Sequence, residues 1–352
     1  MLRLLFLSTP VGPLGSGIGG GVELTLYNLA KEMNKRGHQV KIIAPQQSSL
    51  PYITCQEIPG IWQEMIQSSK RDTPIIFPRN SVLANMWNSA KKVEDNYDLI
   101  VNFAFDWLPL YLTPFFKCTI AHLISMGSMT EAIDDMIRQV DISFPYTIGV
   151  HTQEQAKTFP FLKNFYILGN GIDVPLYKFC DNPSNSFSWI GRISPEKGLE
   201  DAILAAKTAN VKLKIFGKIQ DIDYWNNIQT KYSDVDFQYE GFFDTSKLQE
   251  KIRVSKAILV TPKWIEAFGN IIIESLACGV PVIAYKRGGP AGLVKNEETG
   301  FLVTPDNISE LVHAIKNIEK IDRKKCRDYV EINYSLKVLG DRFEEWMLML
   351  KK

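Results

Sequence analysis

Short apolar runs of strand length alternate with stretches of helical periodicity along the whole chain. The first repeat of this pattern is a strand at residues 2–8, a long glycine-rich loop, a helix at about 22–36 and a strand at 40–44. Strands that alternate with helices in this way predict a parallel, doubly wound sheet. Further buried strands are predicted at residues 75–77, 99–102, 119–123, 146–151 and 165–167.

The same pattern starts again at residue 187, after a joint at 169–183 that is rich in Gly, Asn, Asp and Pro. Such a composition is typical of a turn or hinge. Strand-like runs follow at residues 187–190, 213–216, 237–239, 257–261 and 282–284. Residues 103–116 are rich in aromatics and prolines, and we expect an irregular wall there. Residues 338–351 have the apolar spacing of an amphipathic terminal helix.

Length and composition are those of a two-domain protein with an ordinary share of charged residues. A chain of 352 residues exceeds the size at which single cores stop growing. The sequence therefore predicts an N-terminal Rossmann-like domain (1–172, with a terminal helix at 336–352) and a C-terminal one (173–335). The net charge of +1 indicates no general attraction to nucleic acid or membranes. Five scattered cysteines and the lack of a long apolar run favour reduced thiols, no stable membrane insertion and a cytoplasmic location.

Two glutamates, Glu266 and Glu274, stand on either side of a predicted helix start. The apolar run 271–277 places Glu274 on a largely buried helix, where a carboxylate is costly unless it is hydrogen-bonded. Glu266 precedes the helix, next to Phe268-Gly269, where backbone N–H groups can approach a ligand. One acid at a helix entrance and one deeper in the helix suit a polar ligand with several hydroxyls, such as a nucleotide sugar.

This Glu-x7-Glu pattern, followed by Ala-Cys-Gly-Val-Pro at 277–281, resembles glycosyltransferase family 4. The resemblance implies the GT-B fold, in which two Rossmann-like domains face each other across a cleft and a C-terminal helix returns to the first domain. It also implies retention of anomeric configuration and a nucleotide-sugar donor. In family 4, Glu274 corresponds to the acid that holds the ribose hydroxyls. Glu266 corresponds to the acid at the transferred sugar.

Two basic residues, Arg192 and Lys197, follow a strand and precede a helix, where side chains converge on the mouth of an α/β sheet. The resemblance places both on the diphosphate, where fixed cations stabilise the charge that develops as the glycosidic bond breaks. They would replace a metal ion, and no cofactor is expected. The donor-binding residues implied by the resemblance are Gly20, Gly21, Arg192, Lys197, Gly241, Phe242, Glu266, Phe268, Gly269, Asn270 and Glu274.

His122, at the end of a predicted strand, corresponds to a family histidine near the sugar's primary hydroxyl. We therefore predict a catalytic set of Glu266, His122, Arg192 and Lys197. After Gly288-Gly289-Pro290 many family members carry an acid where this chain has Gly292. The role of that acid is missing or reassigned here.

The glycine-rich loop also contains G-x-G-x-x-G through Gly15, Gly17 and Gly20. A dinucleotide-binding dehydrogenase is disfavoured, because residues 9–14 separate the loop from the strand and no acid ends the second strand. Glycines that lead into a helix can bring N–H groups against a phosphate or sugar. Glu23 is interpreted as a first-turn acid that satisfies the helix end.

These features together predict a glycosyltransferase that moves a hexose, glucose being favoured, from a UDP-sugar to a hydroxyl of a small acceptor. The N-terminal loop is similar to that of cyanobacterial pteridine glucosyltransferases, so tetrahydrobiopterin is a candidate acceptor. Gly15, Gly17, Phe105 and Trp107 are candidate acceptor contacts, since aromatic rings can stack on a flat heterocycle. A lipid, glycan or sugar-phosphate acceptor, an epimerase or phosphorylase of the same architecture, and a non-catalytic nucleotide-sugar binder remain alternatives.

Overall fold

The structure, a computed structural model, describes residues 1–64 and 70–351. Lys352, the last residue of the predicted terminal helix, lies outside the described residues. The chain forms two compact units, one of Met1–Gly171 together with the helix Leu336–Lys351, and one of Ile172–Ser335.

Strands and helices alternate through most of the chain. The strands are β1 (Arg3–Leu7), β2 (Gln39–Pro45), β3 (Cys55–Ile58), β4 (Leu99–Asn102), β5 (Ile120–Ile124), β6 (Ile148–Val150), β7 (Phe165–Ile167), β8 (Ser186–Ile190), β9 (Lys212–Phe216), β10 (Phe237–Gly241), β11 (Ile258–Val260), β12 (Val282–Tyr285) and β13 (Gly300–Val303). The α-helices are α1 (Gly21–Lys35), α2 (Val82–Val93), α3 (Trp107–Leu112), α4 (Glu131–Ser143), α5 (Gln153–Ala156), α6 (Leu199–Ala209), α7 (Ile222–Lys231), α8 (Thr245–Ile252), α9 (Asn270–Ala277), α10 (Pro290–Leu293), α11 (Ile308–Asn317), α12 (Arg323–Asn333) and α13 (Leu336–Lys351).

The first unit is built on a seven-stranded sheet in the order β3-β2-β1-β4-β5-β6-β7, with parallel pairing throughout. The central strand β1 buries Leu4, Leu5, Phe6 and Leu7 almost completely, because both faces of a parallel sheet are covered by helices. The strand order reverses between β1 and β4. In open α/β sheets, ligands bind beyond the carboxyl ends of the strands at such a reversal.

The terminal helix α13 belongs to the first unit. Its buried residues Phe343, Trp346 and Met347 pack in one cluster with Leu29 and Met33 of α1. Gly149 in β6 explains the close fit, since a Cβ at this position would stand 2.5 Å from the Trp346 ring.

The second unit contains a six-stranded sheet in the order β10-β9-β8-β11-β12-β13, again parallel throughout. Its strand order reverses between β8 and β11, with helix α9 following β11. Helix α9 is the most apolar of the unit's short helices and buries Ile272, Ile273 and Leu276 completely. The two sheets confirm the predicted α/β fold class.

Four segments differ from the sequence prediction. Residues 75–77 form no strand, and Ile76 is exposed, so an apolar run alone was misleading. Strands β3 and β13 were not predicted, because both are short sheet edges with few buried side chains. Residues 103–116 contain helix α3 rather than an irregular wall. Pro109 suggested a break, but it lies in the first turn of α3, where no intrahelical N–H is required.

None of the helices within residues 1–64 and 70–351 has the length and apolar character that crossing a bilayer requires.

Candidate functional site

The predicted donor-binding residues of the second unit come together at one edge of its sheet. Arg192 follows β8, Gly241 ends β10, and Glu266 follows β11. Because all six strands are parallel, these positions lie beyond the carboxyl ends of their strands. Residues far apart in the chain therefore meet at this edge.

The centre of this edge is an ion pair between Lys197 and Glu266. Lys197 Nζ donates to Glu266 Oε2 over 2.5 Å, and Trp264 Nε1 donates to the same oxygen over 3.2 Å. The ammonium also lies 4.8 Å from the centroid of the Trp264 ring. Each of the two charged side chains is about one-fifth exposed. Burial alone would raise the pKa of Glu266, but Lys197, Trp264 and Arg192 outweigh burial and hold the pKa below its usual range.

Arg192 lies beside this pair, and two side-chain oxygen atoms hold its guanidinium in place. Its Nη1 donates to Gln220 Oε1 over 2.6 Å, and its Nη2 stands 3.3 Å from Glu196 Oε1. The guanidinium is 29% exposed, so it faces solvent from a fixed position. Lys197 and Arg192 thus form a partly buried cationic pair at the mouth of the sheet. An anionic ligand is the chemistry that this pair suits.

Glu274 lies in helix α9, one side of which is core. Tyr177, which is buried, donates its hydroxyl to Glu274 Oε1 over 3.3 Å. Burial raises the pKa of Glu274 to about 7, with the Tyr177 hydrogen bond acting in the opposite direction. Among residues 1–64 and 70–351 no cation forms an ion pair with this carboxylate. A half-buried carboxylate with a single weak hydrogen bond has acceptor capacity left, which the hydroxyls of a ligand can fill.

The turn between the two glutamates is fixed by two glycines, Gly288 and Gly289, in the loop between β12 and α10. Gly289 N donates to the Glu266 carbonyl oxygen over 2.6 Å. A Cβ at Gly289 would lie 2.2 Å from the Phe268 carbonyl oxygen, and one at Gly288 would lie 2.4 Å from that of Glu266. Only glycine permits this backbone contact. By contrast, a Cβ at Gly292 would meet no atom within 4 Å, so the acid that many family members carry has room here.

Phe268, Gly269 and Asn270 form the entrance to helix α9. Gly269 has a φ of 97°, a left-handed conformation that favours glycine, and no side chain caps the helix. Phe268 is buried against Tyr334, with ring centroids 6.0 Å apart, so its side chain belongs to the core. Its predicted contribution to the donor site is therefore restricted to its backbone.

Gly241 and Phe242 close the edge on the side of β10. Gly241 has a φ of 97° and its carbonyl oxygen accepts from Gly217 N over 2.9 Å, at an irregularity in the pairing of β10 with β9. The Phe242 side chain is 66% exposed. Because the Phe242 ring is exposed, it could stack on a flat base, and this segment stays a predicted contact of the donor's base.

In the first unit, the glycine-rich loop follows β1 and leads into α1. Leu14 anchors it, because its N–H donates to Ser48 Oγ over 2.8 Å and its side chain is buried. The N–H groups of Gly15 and Gly17 both donate to Glu23 Oε2, over 2.7 and 3.2 Å. Both N–H groups are therefore occupied within the loop, and the assignment of Gly15 and Gly17 as acceptor contacts stays a prediction.

Gly20 and Gly21 stand at the start of α1, where the first N–H groups have no partner inside the helix. Gly20 has a φ of 61°, and no side chain caps the helix. Their role in donor binding stays a prediction. Glu23 accepts from the loop that precedes the helix rather than from the helix end, which corrects its sequence interpretation.

His122 is a structural residue in this conformation, contrary to the catalytic role predicted for it. It lies in the middle of β5 with no exposed surface. Asn102 Nδ2 lies 3.2 Å from His122 Nδ1, and His122 Nε2 lies 2.9 Å from Thr113 Oγ1. Since the Thr113 hydroxyl donates to Pro109 O, the ring donates through Nε2 and accepts at Nδ1. Burial lowers the pKa of His122 to about 3, so the ring is neutral.

Replacing His122 by leucine should lower the free energy of unfolding by about 2–4 kcal/mol, because Asn102 and Thr113 each lose a buried partner. The turnover number of the predicted transfer should change by less than about twofold, since Asn102 and Thr113 already occupy both ring nitrogens. Denaturant unfolding and steady-state kinetics measure the two effects. His313→Leu, at an exposed position, is the matched control and should change neither quantity. A large loss of turnover at unchanged stability in His122→Leu would restore the catalytic assignment.

The two aromatic residues predicted to contact an acceptor have different environments. Phe105 is 9% exposed and packs in a core cluster with Leu110 and Ile137, so its assignment as an acceptor contact is not supported. Trp107 is half-buried and stacks on Tyr111, with ring centroids 4.5 Å apart and planes 14° from parallel. Trp107 remains the accessible candidate.

Three residues of the second-unit site were not predicted from the sequence. They are Trp264, which donates to Glu266, Tyr177, which donates to Glu274, and Gln220, which accepts from Arg192. Trp264 lies two residues before Glu266, and a donor so close to a candidate acid was a usable signal. Tyr177 is 97 residues from its partner and Gln220 28 residues from its own, so the sequence held no local signal for either.

Within the described parts of the chain, no three His, Cys, Asp or Glu side chains are grouped as metal ligands would be.

Two family models match the chain, one in each unit. Residues 181–335 match the glycosyl transferases group 1, and residues 19–122 match Glycosyltransferase Family 4. Together these matches contain the last glycines of the glycine-rich loop, residues 19–21, and the second-unit residues Arg192, Lys197, Glu266 and Glu274. The chain has the GT-B fold, and each of its two units matches a glycosyltransferase family model over part of its length.

Curated relatives match this chain over parts of their length. It is 37% identical to an alpha-1,3/1,6-mannosyltransferase of Rhizomucor pusillus over 103 residues, which are 28% of this chain and 22% of the relative. It is 25% identical to glycogen synthase of Mycobacterium tuberculosis over 205 residues, which are 55% of this chain and 49% of that enzyme. The chain thus spans less than half the length of these relatives.

Solved structures of similar fold match this chain over nearly its entire length. Anabaena HepE, solved in complex with UDP, gives a TM-score of 0.78 at 17% identity, covering 99% of this chain and 100% of that one. HepE has also been solved with UDP and glucose and with UDP-glucose. Sucrose-phosphate synthase of Thermosynechococcus elongatus gives a TM-score of 0.78 at 18% identity, covering 99% of both chains. These likenesses show the fold.

Proposed function

We propose that the protein is a retaining, metal-independent glycosyltransferase that transfers a hexose from a UDP-sugar to a hydroxyl of a small acceptor. Glucose is the proposed sugar and a pterin such as tetrahydrobiopterin the proposed acceptor. The observation that carries the proposal is the cationic pair Lys197 and Arg192 beside Glu266, at the carboxyl edge of the second sheet. Glu274 lies in helix α9 of the same unit. The structures of HepE with UDP and UDP-glucose support the choice of donor.

Each of these groups has a distinct task in the proposed reaction. Lys197 and Arg192 stabilise the negative charge that grows on the pyrophosphate as the bond to the sugar breaks. Glu266 accepts hydrogen bonds from the sugar hydroxyls, and its lowered pKa keeps it ionised for this purpose. Glu274 accepts both ribose hydroxyls. His122 is left out of the catalytic set because it is buried in the sheet.

The bond changes balance without a further reactant. The bond from the anomeric carbon to the phosphate oxygen breaks, and a bond from the acceptor oxygen forms on the same face of the sugar. The acceptor proton passes to the departing phosphate oxygen, so the products are UDP and the glycoside. The Lys197–Glu266 pair explains how the cation is kept in place before the donor arrives, since a fixed charge needs no reorganisation at the moment of reaction.

A substrate panel with mass spectrometry tests the proposal. The protein is incubated with UDP-, GDP- and ADP-sugars, each with tetrahydrobiopterin, a glycan, a sugar phosphate or a lipid acceptor, with and without EDTA. We expect an acceptor heavier by one hexosyl unit, formed from UDP-glucose and unaffected by EDTA. Formation of an epimerised donor, dependence on orthophosphate, or binding without any turnover would each contradict the proposal. Transfer only to a glycan, lipid or sugar phosphate would contradict the pterin assignment alone.

A further inference from the structure

Glu23 fills the centre of the glycine-rich loop of the first unit. Gly15 N and Gly17 N donate to its Oε2 over 2.7 and 3.2 Å, and Gly19 N donates to its Oε1 over 2.5 Å. Gly15 and Gly17 have φ angles of 93° and 79°, the left-handed conformation that turns these successive N–H groups inward. Both carboxylate oxygens are therefore held by backbone donors of one loop.

This arrangement has the chemistry of a bound anion. Convergent backbone N–H groups in left-handed turns form concave sites that hold phosphates and other anions. Glu23 is only 8% exposed, and no ion pair within residues 1–64 and 70–351 neutralises it. Its charge is compensated by the three N–H groups and by its position in the first turn of α1. The loop thus carries its own anion.

The fit explains the residue types at both ends of the contact. A Cβ at Gly19 would lie 2.9 Å from both Cγ and Oε1 of Glu23, so a side chain there would displace the carboxylate. Glutamine in place of Glu23 would turn an NH₂ group toward backbone donors, where an acceptor is needed. A buried N–H that loses its acceptor is costly, so the loop shape depends on this carboxylate.

We propose that Glu23 is a positioning residue that replaces a bound anion in the glycine-rich loop. It fixes the loop conformation and withholds the N–H groups of Gly15, Gly17 and Gly19 from the phosphates of a ligand. The Gly20 N–H donates to the Gly17 carbonyl oxygen over 3.2 Å, so Gly21, at the uncapped start of α1, is the loop glycine that then faces a ligand. For catalysis this inference rests on the proposed function, because the effect on transfer requires a transferase.

The Glu23→Ala variant empties the site and allows a direct test with a small carboxylate. Sodium formate should raise the melting temperature of Glu23→Ala but not of the wild type, with sodium chloride at equal ionic strength as the salt control. In amide NMR spectra, Gly15, Gly17 and Gly19 should shift in the variant and move back toward their wild-type positions with formate. Glu131→Ala, which removes an exposed first-turn acid of α4, is the matched control and should show neither effect.

The functional arm measures transfer rates in the same variants. Glu23→Ala should lower kcat/KM by about tenfold, with partial recovery in formate, whereas Glu131→Ala should keep the wild-type value. If Glu23→Ala does not fold, Glu23→Gln replaces it in the NMR and transfer measurements without formate, where the three glycine amides should still shift and kcat/KM should still fall. Unchanged glycine amide resonances, or no response of the variant to formate, would overturn the inference. Because the formate and NMR arms contain no nucleotide sugar, a failed transferase assay leaves them decisive.

Discussion

Replacing Lys197 by methionine should lower the turnover number of sugar transfer by about 100- to 1,000-fold. Methionine keeps the length and apolar stem of the side chain but removes the charge that is held 2.5 Å from Glu266 Oε2. The loss should appear in kcat more than in the binding of donor, because the diphosphate charge is greatest in the transition state. Steady-state kinetics with UDP-glucose measures both quantities.

The same variant should also change the pH dependence of the reaction. Lys197 is a main reason why the pKa of Glu266 lies below its usual range, so its removal raises that pKa. The acid limb of the pH–rate profile should therefore move to higher pH. Lys207→Met provides the control, since Lys207 makes a comparable ion pair with Asp234 at 2.7 Å on an exposed surface. Wild-type turnover in Lys197→Met would contradict the assignment.

Affinity for the UDP-sugar should decrease as the pH falls below about 7, the value to which burial raises the pKa of Glu274. Only the ionised carboxylate can accept both ribose hydroxyls, so each pH unit below 7 should weaken binding by about tenfold. Glu274→Gln should weaken binding at pH 8 by about 10- to 100-fold and remove the pH dependence. Titration calorimetry between about pH 6 and pH 8 measures this.

Two controls separate the Glu274 effect from general changes in charge. Glu250→Gln removes an exposed acid of the same unit, and donor affinity should not change. Tyr177→Phe removes the hydroxyl that donates to Glu274 Oε1, so the pKa of Glu274 should rise further and the loss of affinity should begin at higher pH. Affinity that is independent of pH in the wild type would exclude Glu274 as the ribose acceptor.

The buried strands were the part of the fold that the sequence patterns predicted best. Strand β4 begins and ends as predicted, since a fully covered strand needs a continuous apolar run. Edge strands escape this rule. In β3 only Ile58 is buried, so the run Cys-Gln-Glu-Ile carried no apolar signal. The run at 75–77 shows the converse error, because an apolar segment without a strand partner has the same local pattern.

The candidate site was predictable to the extent that its residues carry a local motif. Glu266 and Glu274 share one segment, and Arg192 and Lys197 share another. Their convergence could be expected from parallel strands, although 69 residues separate Lys197 from Glu266. Burial could not be read from the motif. His122 corresponds to a family position, yet Asn102 and Thr113 occupy both of its ring nitrogens.

The glycine-rich loop shows the same limit from another side. Its glycines indicated convergent N–H groups, and the structure confirms that convergence. The partner of those groups was taken to be an external ligand, because an acid after a glycine run is a common feature of helix starts. The sequence shows the glycine N–H donors and the Glu23 carboxylate separately, but their contact depends on backbone angles that only the structure gives.

A crystal structure of the protein with UDP-glucose tests the central claim most directly. The account predicts pyrophosphate oxygens within hydrogen-bonding distance of Lys197 Nζ and the Arg192 guanidinium, with the ribose hydroxyls on Glu274 and the glucose hydroxyls on Glu266. A nucleotide bound away from the carboxyl edge of the second sheet, with Lys197 still paired to Glu266 alone, would contradict it.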